Sequence, residues 1–193
     1  MRLLLVRHGQ TYSNRDGLIQ GQLDTELSEL GIAQAERIAD RLRNHSFTKI
    51  FSSDLKRAKD TAKAIAPDVE IIYDDRLRER HFGDFSGKIG KEIDWSTLQG
   101  EFIDQAPPKG ESWRQMIVRV KQFLDELDGE GDVLVVSHGG VIRILLHIML
   151  NRDLEEMVHN NKPKNTALYI LEKKGESYIP ILENCDEHIG DIK

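Results

Sequence analysis

One cysteine in 193 residues, Cys185, leaves no partner for an intramolecular disulfide and rules out a cysteine-based zinc cluster. No apolar run reaches the length needed to cross a bilayer. Met1-Arg2 leads straight into a short strand-like segment, too short for the hydrophobic part of a signal peptide, so no signal peptide is expected. Cations are in deficit: 27 Lys and Arg face 33 Asp and Glu, for a net charge of −6. General nucleic-acid binding usually needs a basic face, so that class is set aside. Internal repeats, low-complexity tracts and dividing linkers are missing as well. The remaining composition, 39% hydrophobic and 31% charged, suits a folded chain of one domain over residues 1–193. The expectation is a cytoplasmic enzyme that engages neither membrane nor nucleic acid. Any anion site on it must be a local cluster of cations on an acidic protein.

What is present starts with Leu3-Leu4-Leu5-Val6, an apolar run that reads as a strand buried on both faces. It ends abruptly in Arg7-His8-Gly9. Ser28 has the place of a helix N-cap, and Ala35, Ile38, Ala39 and Leu42 follow at helical spacing to about Arg43. Lys49 to Ser52 reads as a second strand. A second helix starts at Ser53-Asp54, carries Leu55, Ala58, Ala62 and Ile65 on one face, and is stopped by Pro67. Glu70 to Tyr73 is a third strand. From Asp74 to Gly110, glycines and Pro107-Pro108 break every periodicity, and irregular segments of this length are often covers over sites. Trp113, Met116, Ile117, Val120, Phe123, Leu124 and Leu127 then mark one apolar helical stripe, the signature of core packing. Asp132 to Val136 is another buried strand, ending in Ser137-His138-Gly139-Gly140, with a nearly all-apolar helix from Val141 to about Leu150. Two further strands fit Thr166–Leu171 and Tyr178–Leu182, and the polar tail from Glu183 is expected to be loosely held. Strands alternating with helices give an α/β fold with a mostly parallel sheet and helices on both faces.

Two strands therefore end in histidine-glycine. Parallel strands of one sheet end on the same edge, where α/β sheets bind ligands, so His8 and His138 can face one crevice. Glycine after each histidine lets backbone N–H groups approach an anion. Arg57 falls just after another strand end, at about the fourth position of a helix capped by Ser53, where the positive helix terminus and a guanidinium act together. Leu77-Arg78-Glu79-Arg80-His81-Phe82-Gly83 sets one carboxylate among cations. Each of these also has a plain reading, as a solvated loop, a basic helix face or a surface charge cluster. The histidines show no paired spacing of metal ligands.

Taken together these blocks resemble the histidine phosphatase superfamily, which includes the cofactor-dependent phosphoglycerate mutases. The resemblance runs through Leu3 to Asn14, Gln20 to Ser28 with Gly31, Phe51 to Ala58, Leu77 to Glu79 with Phe82 to Gly87, and Val135 to Gly140. It implies a three-layer α/β/α fold and makes His8 the nucleophile that becomes a phosphohistidine. Arg7, Arg57 and His138 would hold the phosphoryl oxygens, assisted by Asn14. Glu79 would protonate the leaving alkoxide and later activate water. Gln20, Gly21 and Gly139 would lie on the substrate side. No cofactor or metal is implied, since imidazole can serve as the nucleophile unaided.

Glu79-Arg80-His81-Phe82-Gly83 is close to the Glu-Arg-His-Tyr-Gly of the mutases. A mutase must retain a bisphosphate while it turns round, which calls for extra cations, including a tandem arginine in a longer insert. This chain has no Arg-Arg pair, and Asp84 to Gly110 is short and offers only Lys88, Lys91 and Lys109. Arg78, the Gly-Asp-Phe-Ser-Gly at residues 83–87 and Pro107 to Ser112 look more like the phosphatase branch. The expected activity is hydrolysis of a small phosphorylated metabolite. Members acting on fructose bisphosphates, broad-specificity phosphatases and α-ribazole-phosphate phosphatases share much of this text. Arg80, His81 and the cover at about 84–110 are the expected tuners of substrate choice. A mutase and an inert phosphate-binding protein are the alternatives. A free sheet edge or Trp95 offers a place for a homodimer contact, with the oligomeric state left open.

Overall fold

Leu3, Leu4, Leu5 and Val6 are all fully buried, as are Val133, Leu134 and Val136. That double-sided burial is why both runs lack the polar alternation of a half-exposed strand. The computed structural model describes residues 1–160, 162–190 and 192. Its elements in chain order are β1 (Arg2–Arg7), α1 (Tyr12–Arg15), α2 (Glu29–Leu42), β2 (Phe47–Ser52), α3 (Lys56–Ile65), β3 (Ile72–Tyr73), α4 (Trp113–Asp125), β4 (Asp132–Ser137), α5 (Gly139–Leu150), α6 (Leu154–Asn160), β5 (Leu168–Lys174) and β6 (Ser177–Cys185). The strands form one sheet in the order β3-β2-β4-β1-β5-β6. The first four are mutually parallel, and β5 runs antiparallel to β1 and to β6.

Alternate residues of the central strands feed two cores. Leu3, Leu5, Val133 and Val135 meet Met116, Val120 and Phe123 of α4 and the apolar side of α5 and α6. Leu4, Val6, Leu134 and Val136 meet Ile38 and Leu42 of α2 and Ala58 and Ala62 of α3. This is the three-layer α/β/α arrangement, with α4, α5 and α6 on one face and α2 and α3 on the other. Each large apolar side chain so buried contributes about 1.5–3 kcal/mol, and truncating one such as Leu4 to alanine is expected to cost about 2–5 kcal/mol. Among the described residues no helix is long and apolar enough to cross a membrane.

Ser28 does cap α2, accepting from the Gly31 N–H at 3.1 Å, and Ser112 caps α4 in a reciprocal box with Gln115. Elsewhere boundaries moved. The second helix starts at Lys56, with Leu55 as its cap, and not at Ser53. The Ser53 N–H instead continues the sheet pairing by donating to the Val136 carbonyl at 3.0 Å. Arg57 is thus the second helical residue, not the fourth. The third strand shrinks to Ile72–Tyr73, and α6 had no visible signal in the sequence. Residues 183–190 are not loose: Glu183 to Cys185 belong to β6, and Ile189 is 5% exposed, while the expectation for residues 191 and 193 lies outside the described residues. His188 Nε2 lies 3.0 Å from Thr166 Oγ1, fastening the tail beside the start of β5.

Residues 74–112 carry no strand or α-helix, only short 3₁₀ turns at 75–77, 83–85, 90–92, 95–97 and 102–104. The segment is nonetheless ordered by its own side chains. Trp95 packs edge-on against Phe82 and Phe85, and Phe102 stacks on Trp113. The Asp84 N–H donates to the Pro108 carbonyl at 2.8 Å, closing the segment on itself.

Candidate active site

β1 and β4 are adjacent, parallel and in register, with Arg7 opposite Ser137. The residues that follow are therefore brought side by side. The His8 N–H donates to the Ser137 carbonyl at 2.9 Å, and the two imidazole centroids lie 5.1 Å apart. Both rings are buried, with His8 2% and His138 0% exposed. His8 Nδ1 lies 2.7 Å from the Gly9 carbonyl. A carbonyl only accepts, so Nδ1 carries the proton and Nε2 carries the lone pair. Gly9 itself has no room for a side chain, since a Cβ there would lie 2.4 Å from the Gly31 carbonyl oxygen. Its N–H donates to Thr61 Oγ1 at 3.0 Å, and that hydroxyl donates to the Arg57 carbonyl at 2.7 Å. One threonine thus couples the loop after His8 to α3. His138 Nε2 lies 2.9 Å from Ser53 Oγ.

Arg57, 1% exposed, is held by carbonyls: Nη1 donates to Leu23 at 2.8 Å and Nη2 to Gly21 at 2.7 Å. Arg7 Nη1 donates to the Pro163 carbonyl at 2.7 Å. Arg7 Nε, Arg57 Nε and His138 Nδ1 are buried without a hydrogen-bond partner among the described residues. Leaving such groups unpaired costs about 1–3 kcal/mol each, more for charged ones, so their concentration beside one pair of strand ends marks a functional place. Burial pushes Arg57 down to about 10, against the opposing pull of Glu79. Burial, reinforced by Arg57 and then Arg7, holds His8 well below the usual imidazole range. His138 is lowered in the same way, by burial first and Arg57 next. Both rings are neutral at pH 7, and a neutral His8 offers an unprotonated Nε2.

Glu79 approaches from the irregular segment. Its Oε1 accepts from the Arg80 N–H at 2.8 Å and its Oε2 from the Gly140 N–H at 3.1 Å, in the first turn of α5. The positive end of that helix favours a carboxylate there. The contact requires glycine, because a Cβ on Gly140 would lie 2.2 Å from Glu79 Oε1. His8, Arg7, Arg57, Glu79 and His138 are thus gathered at one sheet edge: Arg7 and Arg57 both feel the Glu79 charge, and both lower His8.

The other residues singled out in the sequence divide. Asn14 sits in α1, where its Oδ1 accepts from the Thr11 N–H at 3.2 Å and from Asn165 Nδ2 at 3.3 Å. Gly139 opens α5 beside Arg7, whose Nε would lie 3.8 Å from a Cβ there. Gly21 contributes its carbonyl to Arg57. Gln20 turns inward, its Oε1 accepting from Thr11 Oγ1 at 2.9 Å and Thr25 Oγ1 at 2.6 Å, so it holds the loop together. Arg80, expected to tune substrate choice, lies inside the cover and not open to solvent. It is 3% exposed, donates to the carbonyls of Glu111 (3.0 Å) and Gln105 (2.5 Å), and stacks on Trp113 at 4.5 Å. Burial lowers it to about 10, and it serves as an internal strut of the cover. His81 is exposed, with Nδ1 accepting from the Gly83 N–H at 3.2 Å.

Several residues of the site escaped the sequence reading. Asn165 Nδ2 donates to the His8 carbonyl at 3.1 Å as well as to Asn14. Pro163 anchors Arg7, Ser53 meets His138, and Gln22 Nε2 donates to the Glu79 carbonyl at 3.1 Å. Pro163 and Asn165 leave only the trace of a Pro and an Asn shortly before a strand, while Ser53 and Gln22 lie inside the blocks already noted, without these contacts being visible there.

With this geometry in hand, comparison with known proteins is informative. Residues 3–185 match the family described as the histidine phosphatase superfamily (branch 1). The chain is 42% identical over 173 residues to the fructose-2,6-bisphosphatase TIGAR of Xenopus laevis, covering 83% of this chain and 62% of that protein. It is 40% identical over 158 residues to a metal-independent phosphoserine phosphatase of Arabidopsis thaliana, covering 74% and 66%. The chain spans about half to two thirds of the length of the curated relatives it matches first. Among solved structures, a mycobacterial glucosyl-3-phosphoglycerate phosphatase in complex with VO3 superposes with a TM-score of 0.86 at 33% identity, covering 95% of this chain and 98% of that one.

Proposed function

Because the chain belongs to the histidine phosphatase superfamily, branch 1, we propose that it is a metal-independent phosphomonoesterase working through a phosphohistidine on His8. One observation carries the reading: a buried, neutral His8 whose Nδ1 is fixed on the Gly9 carbonyl stands among Arg7, Arg57 and His138. Phosphoryl transfer asks mainly for positioning and charge stabilisation, which a preset nucleophile and buried guanidiniums supply.

In the first step His8 Nε2 attacks phosphorus, and the bond to the leaving oxygen breaks. The alkoxide takes the proton of the Glu79 carboxyl. Arg7, Arg57 and His138 bind the non-bridging oxygens, with Asn14 assisting. In the second step Glu79, now a carboxylate, takes a proton from water as that water attacks phosphorus. The N–P bond breaks, inorganic phosphate leaves and His8 returns to its neutral form.

The substrate class is a small phosphorylated metabolite, supported by relatives named for fructose 2,6-bisphosphate, phosphoserine and glucosyl-3-phosphoglycerate. Hydrolysis is favoured over mutase chemistry because Arg80, the arginine next to Glu79, already has its guanidinium on cover carbonyls. A cytoplasmic setting is part of the same proposal, supported by the single cysteine. The test is an aryl phosphate in EDTA, compared with His8→Ala, together with acid-stable or acid-labile trapping of labelled phosphoenzyme. EDTA-resistant turnover, an acid-labile label on the wild type and loss of both in His8→Ala are expected. Isomerisation of 3-phosphoglycerate that depends on 2,3-bisphosphoglycerate, with negligible hydrolysis, overturns the reading in favour of a mutase.

A further inference from the structure

Glu79 stands on a segment with no regular secondary structure, yet its backbone is clamped. The clamp is Arg119, in the middle of α4, a residue with no assigned role. Its Nη1 donates to the Arg76 carbonyl at 2.6 Å and its Nη2 to the Glu79 carbonyl at 3.2 Å, on the near and far sides of one short stretch. The guanidinium is itself fixed by a two-point pair with Glu111: Nε to Oε2 at 3.1 Å and Nη2 to Oε1 at 2.6 Å. Both side chains are largely withdrawn from solvent, at 18% and 15% exposed. Glu111 ties down the other flank. Its Oε1 accepts from the His81 N–H at 2.8 Å, its N–H donates to the His81 carbonyl at 2.9 Å, and its carbonyl accepts from Arg80 Nε at 3.0 Å. One turn earlier on α4, Met116 comes within 3.1 Å of where a Gly140 Cβ would stand.

A fork-shaped donor set is what such a task needs. A lysine supplies one point charge, whereas arginine reaches two carbonyls and a carboxylate in one plane. We propose that Arg119, held by Glu111, is a positioning residue for Glu79, and that its effect falls on proton delivery to the leaving group. The proposal rests on the reading of Glu79 as proton donor. Misplacing a catalytic group by about 1 Å can cost about 10²-fold. Such a loss weighs on poor leaving groups, which need the proton, and spares good ones.

The experiment compares kcat/KM, which reports events through the first phosphoryl transfer, across phosphomonoesters from nitrophenyl to alkyl leaving groups. The proteins are wild type, Arg119→Gln, Arg119→Lys, Glu111→Gln and Glu79→Gln, each with its Tm. Expected for Arg119→Gln is a fall of about 10–100-fold on alkyl phosphates and under about 3-fold on nitrophenyl phosphate. Arg119→Lys should restore little, and Glu111→Gln should show a smaller shift of the same kind. Inhibition by inorganic phosphate should stay unchanged. Glu111→Gln keeps an acceptor for the His81 N–H, so it carries the test if Arg119→Gln does not fold. A loss equal across leaving groups, or no loss in a folded variant, overturns the positioning role. Leaving-group independence in Glu79→Gln itself overturns the donor reading, and the proposal with it, which separates the two failures.

Discussion

The groups proposed to hold phosphate and the proposed proton donor are built by opposite means. His8 and His138 sit at the ends of two paired strands, and Arg57 lies in the first turn of a helix packed on that sheet. Backbone ladders and double-sided burial place the two histidines and the backbone of Arg57, and the loop carbonyls of Gly21 and Leu23 hold its guanidinium. Glu79 sits where the backbone has no ladder, and its place comes from side chains reaching its carbonyl and flanks: Gln22, Arg119 and Glu111. The first half is a rigid cradle inherited from regular structure. The second is an assembled part, adjustable without disturbing the sheet.

That contrast can be attacked from both ends. The largest effect is expected for Arg57→Ala, which removes a buried cation and strands the Gly21 and Leu23 carbonyls. Loss of one such stabilising group typically costs about 10²–10³ in rate. Here kcat/KM should fall at least that far on every ester, whatever its leaving group, and inhibition by inorganic phosphate should weaken in parallel. Gly140→Ala comes next. The new Cβ would stand 2.2 Å from Glu79 Oε1 and must displace the carboxylate. A loss of about 10²-fold on alkyl phosphates is expected, within the usual range for general acid help, with phosphate inhibition within about 3-fold of wild type. If Gly140→Ala weakens phosphate binding as Arg57→Ala does, the two halves are not separable.

The smallest effect concerns stability. His8 and His138 are held neutral in the folded state, with imidazole values depressed well below the ordinary range. The unfolded chain binds their protons near pH 6.5, so below that it holds more protons than the native state and stability falls with falling pH. Two such groups cost roughly 1 kcal/mol between pH 7 and 6, and more below that. His188, depressed to about 4, adds in the same direction. Thermal unfolding followed from pH 7.5 to 5.5 should show the decline, and His138→Asn should flatten it. An unchanged slope in that variant would mean the depression lies elsewhere.

The same contrast explains what the sequence disclosed. Strand ends announce themselves, because a buried strand is an apolar run and its end is an abrupt polar switch. Arg7-His8-Gly9 and Ser137-His138-Gly139 were therefore readable, and their adjacency followed from parallel pairing. Arg57 was readable as a residue but not in its geometry: the helix begins later, and two carbonyls fix the guanidinium. Arg119 was hidden, because it occupies a polar position on a helix whose apolar stripe accounts for everything periodic. Asn165 and Gln22 were hidden for a related reason, since a side chain that bonds a distant backbone carbonyl leaves no spacing to detect. Arg80 looked like a substrate ligand because charge beside a candidate acid invites that reading. Only the carbonyls of Gln105 and Glu111 and the face of Trp113 reveal that it is an internal strut.

β1, which leads into His8, lies between β4 and β5, which begin at residues 132 and 168. As the chain leaves the ribosome, the His8 end of β1 is made early and its neighbouring strands are made late. Neither neighbour of His8's strand can form until most of the sequence has emerged, and closing such long loops carries an entropic cost that slows folding. His8 is therefore made long before His138 and before both of the strands that flank its own.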